Sequence, residues 1–322
     1  MKETLLIAMD PGGDHLKNLS EEFPELSIVA ASSPEEILHH LPEAGIFISF
    51  TCPANYLEAG KRLRWVQLLR SGTDGSALQE MHARKILVTT ARGIHKEIMA
   101  QYALAAMIMT CRSWPEMLYN QQKKIWNHGA FQGSIRGKTL GILGYGIVGR
   151  EVARLARETG MEILALSRKK KENCPDPGVR FTGEVRDIFR HSDYVLNLLP
   201  LTPETRGLIG RELLEEMQTE SVFMNLGRGA TVVESDLADV LENGRIRGAV
   251  LDVFEQEPLP EDHRFWELPN VILTPHVSGS SSDYFGLARD LLRSNIRLFL
   301  EGKTGEMKNR ILPDMGGENP YR

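Results

Sequence analysis

Short apolar runs that alternate with helix-like segments are the feature of this sequence that most limits its fold. Within the first 90 residues, five apolar runs have the length of buried strands, and three segments between them have helical spacing. The predicted strands cover residues 4–9, 26–31, 44–50, 64–69 and 86–90, and the predicted helices cover residues 35–41, 53–61 and 76–83. This alternation predicts βα units, and therefore a parallel sheet covered by helices.

A second series of the same kind begins at Lys138. It follows a long apolar helix predicted over residues 98–112 and a second helical stretch that runs to about Trp126. Six further strands are predicted at residues 140–143, 162–167, 194–199, 222–226, 248–253 and 271–274. A final helix, predicted over about residues 282–301, is long enough to return to the first domain.

We therefore predict the α/β class, with two doubly wound parallel-sheet domains. One domain is discontinuous and comprises residues 1–95 plus 280–322, and the other comprises residues 96–279. The tail from Gly302 is polar and contains adjacent glycines, so we expect it to be poorly ordered.

Composition and charge exclude several classes of protein. The chain has 322 residues and a net charge of −5, which disfavours a nucleic-acid binder. Its longest apolar stretch, residues 102–111, is too short for a membrane span of about 20 residues, and the apolar run after the N-terminus is too short for a secretory signal. Three widely spaced cysteines predict neither a disulfide framework nor a metal site. We expect a cytoplasmic protein with reduced thiols, no bound metal and no membrane partner.

Three glycines, Gly144, Gly146 and Gly149, form the pattern G-x-G-x-x-G between a predicted strand (139–143) and a predicted helix (147–159). In this setting the pattern is typical of a dinucleotide-binding turn rather than of a plain strand–turn–helix. The first glycine permits the tight turn, the second lets the backbone approach a pyrophosphate, and the third lets the helix pack closely on the strand. The helix N-terminus offers free N–H groups to the phosphates.

The end of the next predicted strand favours NADP(H) over NAD(H) as the cofactor. An NAD site places a carboxylate about 20 residues after the turn, where it binds the ribose hydroxyls. Here the strand ends at Ser167, followed by Arg168 and three lysines, and the first carboxylate is Glu172. Ser167 can donate a hydrogen bond to a 2′-phosphate, and Arg168 can hold it in a fork. The alternative is a solvated basic turn.

Three residues near predicted strand ends supply a cation, a carboxylate and an imidazole: Arg228, Glu257 and His276. Open α/β sheets bind ligands at the carboxyl ends of their strands. The set suits hydride transfer to a 2-oxo acid, because an arginine can bind the carboxylate and carbonyl while a histidine protonates the oxygen. A nearby glutamate favours the protonated imidazole. Each residue alone is more often structural, but the three together in their motifs indicate a catalytic set.

These motifs resemble those of the D-isomer-specific 2-hydroxyacid dehydrogenase family, over nearly the whole chain and most strongly from about Trp126 to His276. Residues 198–209, residues 228–234 and the pair Phe265-Trp266 belong to the resemblance. With no carboxylate at Ser167 or Arg168, the chain most resembles the NADPH-dependent glyoxylate/hydroxypyruvate reductase members of the family. The resemblance implies a flavodoxin-like substrate domain and a Rossmann cofactor domain with a cleft between them.

The resemblance also implies roles for individual residues. Arg228 would bind and polarise the 2-oxo acid, His276 would be the acid/base residue, and Glu257 would be its carboxylate partner. Asp252 would lie near the nicotinamide carboxamide, and the alternative is that it caps a loop. The backbone of Ile147 and Val148 would contact the diphosphate, and the backbone of Ser71 and Gly72 would contact the substrate carboxylate. The other implied cofactor contacts are Leu199, Pro200, Thr205, Leu226, Gly227 and Ser278, together with Arg228, Asp252 and His276.

The expected function is that of an oxidoreductase. It would reduce a small 2-oxo acid of the glyoxylate or hydroxypyruvate class to the D-2-hydroxy acid with NAD(P)H. The resemblance implies a homodimer packed through the cofactor domain. The alternative is a dinucleotide-sensing, corepressor-like interaction protein on the same fold, because the fold alone does not determine function. The complete set of Arg228, Glu257 and His276 favours the enzyme.

Overall fold

The computed structural model of the protein describes residues 2–73, 75–129, 132–167 and 176–313. Contacts along the chain divide it into two units: Met1–Ile94 with Ser281–Arg322, and His95–Ser280. Each unit is built on one sheet of mainly parallel strands with helices on its faces. The predicted fold class of two parallel-sheet α/β domains is therefore confirmed. Among the described residues, no helix combines the length and the apolar character needed to cross a membrane.

The first unit contains a six-stranded sheet, and its elements are numbered here along the whole chain. Its strands are β1 (Glu3–Ile7), β2 (Leu26–Ala30), β3 (Ile46–Ser49), β4 (Trp65–Leu68), β5 (Leu87–Thr90) and β13 (Arg310–Ile311). Its helices are α1 (Gly13–Glu22), α2 (Pro34–His40), α3 (Ala54–Ala59), α4 (Leu78–Ala83) and α11 (Tyr284–Leu300). The strand order is β13-β5-β4-β3-β1-β2, and only β13 is antiparallel to its neighbour. The five parallel strands have the order of flavodoxin-like folds.

Alternation of side chains along the central strands produces two apolar layers in this unit. Phe47 and Val66 pack on one side with residues of α2, α3 and α4. Ile46, Ile48 and Trp65 pack on the other side with residues of α1 and α11. Because both faces are covered, every residue of β3 and β4 is buried, which explains why all of them except Ser49 and Gln67 are apolar.

We predicted a poorly ordered tail from Gly302, but its first part, residues 304–311, contains a 3₁₀ turn and strand β13. Its adjacent glycines and the other residues from 314 onward lie outside the described residues. Met307 and Ile311 are buried, and β13 pairs with β5. The fully buried Asn295 of α11 holds this segment: its Oδ1 accepts from the backbone N–H of Lys308 (2.8 Å), and its Nδ2 donates to the Lys308 carbonyl (3.2 Å). The same Nδ2 lies 3.2 Å from Oε1 of Gln67 on β4.

The second unit contains a seven-stranded sheet in which all described strand pairs are parallel. Its strands are β6 (Thr139–Leu143), β7 (Glu162–Leu166), β8 (Val179–Thr182), β9 (Tyr194–Asn197), β10 (Val222–Asn225), β11 (Gly248–Leu251) and β12 (Val271–Leu273). Its helices are α5 (Lys96–Cys111), α6 (Trp114–Gln122), α7 (Ile147–Glu158), α8 (Val185–His191), α9 (Arg211–Leu214) and α10 (Glu234–Glu242). The order β12-β11-β10-β9-β6-β7-β8 is that of the doubly wound dinucleotide-binding fold with one further strand.

This topology brings several loops to one edge of the second sheet. Because the strands are parallel, the segments that follow β6, β7, β9, β10, β11 and β12 all leave the sheet at its carboxyl edge. Ligands bind at that edge in open α/β sheets. The predicted site residues of this unit lie in those segments.

Candidate active site

The turn between β6 and α7 contains the glycine pattern, and its geometry requires two of the three glycines. Gly144 has a φ of 96°, and a Cβ there would lie 2.8 Å from the carbonyl oxygen of Leu198. A Cβ on Gly149 would lie 2.6 Å from the carbonyl oxygen of Gly144, so the start of the helix lies directly on the turn. No atom of the described residues lies within 4 Å of a Cβ built on Gly146, which precedes α7 and provides no side-chain cap.

The open backbone at this turn fits a phosphate-bearing ligand. Gly146 and Ile147 are exposed at the N-terminus of the twelve-residue helix α7, and Val148 follows them. The first N–H groups of a helix have no partner within the helix, and the helix dipole favours negative charge there. The diphosphate of a dinucleotide has the charge and the acceptors that such a turn lacks. The role of these residues in cofactor binding remains a prediction.

The loop after β9 is shaped by internal hydrogen bonds. The side-chain oxygen of Asn197 accepts from the backbone N–H of Leu199 (3.1 Å). The buried hydroxyl of Thr205 donates to the carbonyl of Pro200 (2.6 Å) and accepts from the N–H of Thr202 (2.8 Å). The Thr205 hydroxyl therefore fixes the shape of the loop that is predicted to contact the cofactor.

A buried amide network holds the backbone at Arg228, which follows β10. Asn197 and Asn225 are directly opposite each other on β9 and β10, and Asn197 Nδ2 donates to Asn225 Oδ1 (2.9 Å) and to Thr231 Oγ1 (2.8 Å). The carbonyl of Arg228 accepts from Thr231 Oγ1 at 2.6 Å and from Asn225 Nδ2 at 3.4 Å. Asn225 Oδ1 also accepts from the N–H of Gly227 (3.2 Å), the residue after the buried Leu226.

Glu257 and His276 form a hydrogen-bonded pair. The Oε2 atom of Glu257 is 2.8 Å from Nδ1 of His276, and Oε1 accepts from the backbone N–H of Phe254 at 3.0 Å. Both carboxylate oxygens are thus engaged, while about two fifths of the His276 side chain (43%) is exposed. His276 has a φ of 56°, a left-handed conformation that non-glycine residues seldom adopt. Such backbone strain is concentrated at functional sites.

Asp252, which follows β11, is fully buried and anchors the segment that carries His276. Its Oδ1 accepts from Thr274 Oγ1 (2.6 Å) and from the N–H of Val277 (2.8 Å), and its Oδ2 accepts from the N–H of Ser278 (2.9 Å). Its carbonyl accepts from the N–H of His276 at 2.8 Å. These hydrogen bonds fit the alternative in which Asp252 caps a loop. The contact of Asp252 with the nicotinamide remains a prediction.

Tyr102 of α5 extends this chain of hydrogen bonds. Because Thr274 donates to the carboxylate of Asp252, its hydroxyl accepts from the hydroxyl of Tyr102, at 2.6 Å. Burial raises the pKa of Tyr102; the hydrogen bond to Thr274 acts in the opposite direction, and the negative charge of Asp252 adds to the increase. Tyr102 therefore keeps its proton and supports the Asp252 anchor.

The remaining predicted residues belong to other segments of the chain. Ser167 directly follows β7, and its N–H donates to the carbonyl of Thr182 (2.9 Å) at the end of β8. Arg168 lies outside the described residues. Ser71 and Gly72 belong to the first unit, where they form a partly buried bend after β4. Their contact with a substrate remains a prediction.

Four residues that support the site were not predicted from the sequence: Asn197, Thr231, Thr274 and Tyr102. Polar side chains at the ends of otherwise apolar strands were a usable signal, because two asparagines end β9 and β10 at paired positions. Thr274 gives the same signal, because it is a polar residue that directly follows β12 and lies two positions before His276. A buried polar group of this kind needs a partner, so its presence beside a site residue indicates a supporting bond.

A comparison with known families identifies the chain. The model described as D-isomer specific 2-hydroxyacid dehydrogenase, NAD binding domain, matches residues 104–278, which is more than half of the chain. The chain belongs to this family. The family resemblance in the sequence is therefore confirmed, and the dehydrogenase is a member of a family of NAD(P)-dependent enzymes.

Curated relatives of this dehydrogenase differ in length and in name. Glyoxylate reductase from Korarchaeum cryptofilum is 31% identical over 315 residues, which cover 94% of each chain. D-3-phosphoglycerate dehydrogenase from Methanocaldococcus jannaschii is 27% identical over an alignment 325 positions long, which covers 98% of this chain but 62% of that protein. The dehydrogenase thus spans less than two thirds of the second relative, and the two names do not agree on a substrate.

Solved structures show the same fold as this dehydrogenase. A D-isomer specific 2-hydroxyacid dehydrogenase family protein from Aeromonas salmonicida has a TM-score of 0.84 and 29% identity, over 97% of this chain and 99% of that one. The NADPH-dependent glyoxylate/hydroxypyruvate reductase from Sinorhizobium meliloti, in complex with NADP and malonate, has a TM-score of 0.76 and 26% identity, over 97% of each chain.

Proposed function

We propose that this dehydrogenase reduces a small 2-oxo acid, of the glyoxylate or hydroxypyruvate class, to the D-2-hydroxy acid. The observation that carries the proposal is the hydrogen bond between Glu257 and His276, 2.8 Å long, in a segment anchored by the buried Asp252. Arg228 follows β10, which is separated from β12 by one strand, so a cation and an imidazole occupy the same edge of the sheet. The glyoxylate reductase from K. cryptofilum supports the substrate class.

The roles of the three side chains follow from their chemistry. When it is bound, NAD(P)H supplies the hydride. Arg228 binds the substrate carboxylate and polarises the carbonyl, because its guanidinium is a permanent cation with paired N–H donors. Glu257 holds Nδ1 of His276, which leaves Nε2 to donate a proton to the carbonyl oxygen as negative charge develops there. The product is a 2-hydroxy acid whose hydroxyl proton came from His276.

We also propose that the cofactor is NADP(H) in preference to NAD(H). Ser167, which directly follows β7, is not a carboxylate, and the sequence continues with four basic residues, 168–171. A carboxylate at this position would repel a 2′-phosphate, which carries a charge of about −1.5 to −2. The S. meliloti reductase, whose structure contains NADP, supports this choice.

A panel of 2-oxo acids, each assayed with NADPH and with NADH, tests the substrate and cofactor together. The replacement His276→Ala should lower the rate by about 10²–10⁴-fold, the usual contribution of a positioned acid. Cofactor affinity should change little, because the diphosphate and ribose contacts are predicted at the Gly144–Gly149 turn and at Ser167 and Arg168. His191→Ala, an exposed histidine at the end of α8, is the matched control and should keep the wild-type rate. Near wild-type rates for His276→Ala would make another group the proton donor. Cofactor binding without turnover of any 2-oxo acid would favour the corepressor-like alternative.

The replacement Arg168→Ala tests the cofactor preference. Loss of a charged hydrogen bond should weaken NADPH binding by about 1.5–3 kcal/mol and leave NADH binding unchanged. Dissociation constants for both cofactors, from fluorescence titration, measure the difference. Arg180→Ala, on the exposed part of β8, is a control for loss of positive charge. Equal affinities of the wild-type protein for NADH and NADPH would contradict the proposal.

We further propose that the dehydrogenase is a homodimer that associates through an apolar surface of the second unit. This α6 surface consists of large side chains that are exposed along and after α6: Trp114, Met117, Leu118, Tyr119, Ile125 and Trp126. Trp126 is 88% exposed, and exposed apolar clusters of this kind mark protein interfaces. Leu118→Glu should convert a dimer to a monomer in sedimentation experiments, whereas Leu38→Glu on α2 should not. A wild-type monomer would contradict the proposal.

A further inference from the structure

A second glutamate–histidine pair lies beside the segment that carries Glu257. Glu234 is the first residue of α10, and its side chain is 15% exposed. Its Oε1 accepts a hydrogen bond from the backbone N–H of Glu255 at 2.8 Å, and its Oε2 lies 3.4 Å from Nε2 of His263. Glu234 therefore connects α10, the Glu257 segment and the loop that contains His263.

The His263 ring is fixed on two sides. Its Nδ1 accepts from the backbone N–H of Phe265 at 3.3 Å, and the ring packs against the Phe265 ring with centroids 4.6 Å apart. Because Nδ1 accepts this bond, we assign the ring proton to Nε2, which faces the carboxylate of Glu234. His263 thus holds Glu234 in the position from which it reaches Glu255.

Gly229 also confines the peptide between Phe254 and Glu255. A Cβ on Gly229 would lie 1.8 Å from the carbonyl carbon of Phe254 and 2.4 Å from the nitrogen of Glu255, so this peptide rests directly on the glycine that follows Arg228. The N–H of Phe254 in turn donates to Oε1 of Glu257. The place of the Glu257 carboxylate therefore depends on where this peptide is held.

We propose that Glu234 is a positioning residue for Glu257. Its carboxylate holds the N–H of Glu255, which keeps the Phe254–Glu255 peptide on Gly229 and the Glu257 carboxylate within hydrogen-bond distance of His276. The inference rests on the proposed function, in which Glu257 orients His276. Without Glu234, the N–H of Glu255 loses its acceptor and the segment 254–257 shifts, so the carboxylate leaves Nδ1 of His276.

If the role of Glu234 were purely structural, its loss would lower the stability of the protein without a specific loss of kcat. The chain offers a matched control for that case. A carboxylate in the first turn stabilises a helix, so loss of Glu234 should also lower stability. Glu242 ends the same helix and pairs with Arg264, the residue after His263, at 2.7 and 3.1 Å. Glu242→Ala therefore removes a contact between α10 and the same loop, and among the described residues Glu242 has no hydrogen bond to the Glu257 segment.

The test compares Glu234→Ala, Glu234→Gln and Glu242→Ala, each also combined with Glu257→Gln. Glu234→Ala should lower kcat for 2-oxo acid reduction by up to about 10²-fold, the effect of a displacement of about 1 Å at a reacting group, while KM for the cofactor stays unchanged. Glu234→Gln should restore much of the rate, because an amide oxygen can still accept from Glu255. In the Glu257→Gln background, Glu234→Ala should have little further effect, since coupled residues are not additive.

Two results would overturn the inference. One is a kcat for Glu234→Ala equal to that of Glu242→Ala, and the other is full additivity of Glu234→Ala with Glu257→Gln. If the wild-type protein turns over no 2-oxo acid, the proposed function fails separately. Crystal structures then decide the inference: loss of the contact between Glu257 and His276 in Glu234→Ala supports it, and retention of that contact refutes it.

Discussion

The replacement Asp252→Asn exchanges one buried carboxylate oxygen for an NH₂ group in the bonds that hold the His276 segment. The carboxylate accepts from the N–H groups of Val277 and Ser278, one on each oxygen, and from the hydroxyl of Thr274. An asparagine has one acceptor oxygen. In either orientation of the amide, one of the two backbone N–H groups faces an NH₂ group, whereas the hydroxyl can rotate to suit both.

The size of the effect follows from this count. One buried N–H that loses its acceptor costs about 1–3 kcal/mol, and the remaining bonds weaken because their acceptor is no longer charged. Together these changes should lower the free energy of opening the segment 274–278 by about 2–4 kcal/mol. Because Val277 and Ser278 adjoin His276, the imidazole loses its fixed place, and kcat should fall by about 10²-fold.

Native-state hydrogen exchange at Val277 and Ser278 measures the opening free energy directly, and steady-state kinetics measures kcat. The control is Asp193→Asn. The Asp193 carboxylate accepts from the N–H of Thr139 at 2.8 Å, where β6 begins at the opposite edge of the sheet. The control should increase exchange near Thr139 and leave kcat unchanged. Unchanged exchange at Val277 and Ser278 in Asp252→Asn, with a kcat within twofold of wild type, would refute the reasoning.

Three further perturbations have defined outcomes. Glu257→Gln leaves one acceptor oxygen for the two N–H groups that the carboxylate holds, on Phe254 and on Nδ1 of His276, so kcat for 2-oxo acid reduction should fall while KM for the cofactor stays unchanged. Gly229→Ala places a Cβ 1.8 Å from a backbone carbonyl carbon of the Glu257 segment and should lower kcat, whereas Gly183→Ala meets no atom of the described residues within 4 Å and should not. Burial raises the pKa of the Cys52 thiol to about 12, so the unfolded chain loses this proton first and the thermal midpoint should fall as pH rises from about 9 to 12. Cys52→Ala should flatten that fall, and an unchanged slope would contradict the assignment.

The buried strands were predictable because of where they lie. β3 and β4 have helices on both faces, so every side chain is buried and, apart from Ser49 and Gln67, every residue is apolar. The elements that the sequence analysis missed have weaker patterns. β8 is an edge strand and includes the exposed Arg180. In α1, Leu19 is the one buried side chain. A segment that buries few residues has little periodicity from which it can be recognised.

The site was predictable in its reacting groups but not in their support. Arg228, Glu257 and His276 lie in short motifs that carry chemistry, and the sheet places all three at its carboxyl edge. The bonds that hold them join residues distant in sequence: Asn197 to Thr231 and Tyr102 to Thr274 are 34 and 172 positions apart. Such pairs follow from strand order and register, which a single sequence does not specify.

The antiparallel strand β13 has a consequence for the order in which the protein matures on the ribosome. It covers the edge of β5, and Asn309 donates to the carbonyl of Thr90, 219 positions earlier in the chain. The continuous unit His95–Ser280 is therefore complete before the first 94 residues receive their last helix and strand. Domains generally mature from the N-terminus during synthesis, and this chain reverses that order. Until translation reaches Ile311, β5 remains an open edge, the kind of surface that chaperones shield and that neighbouring nascent chains can pair with.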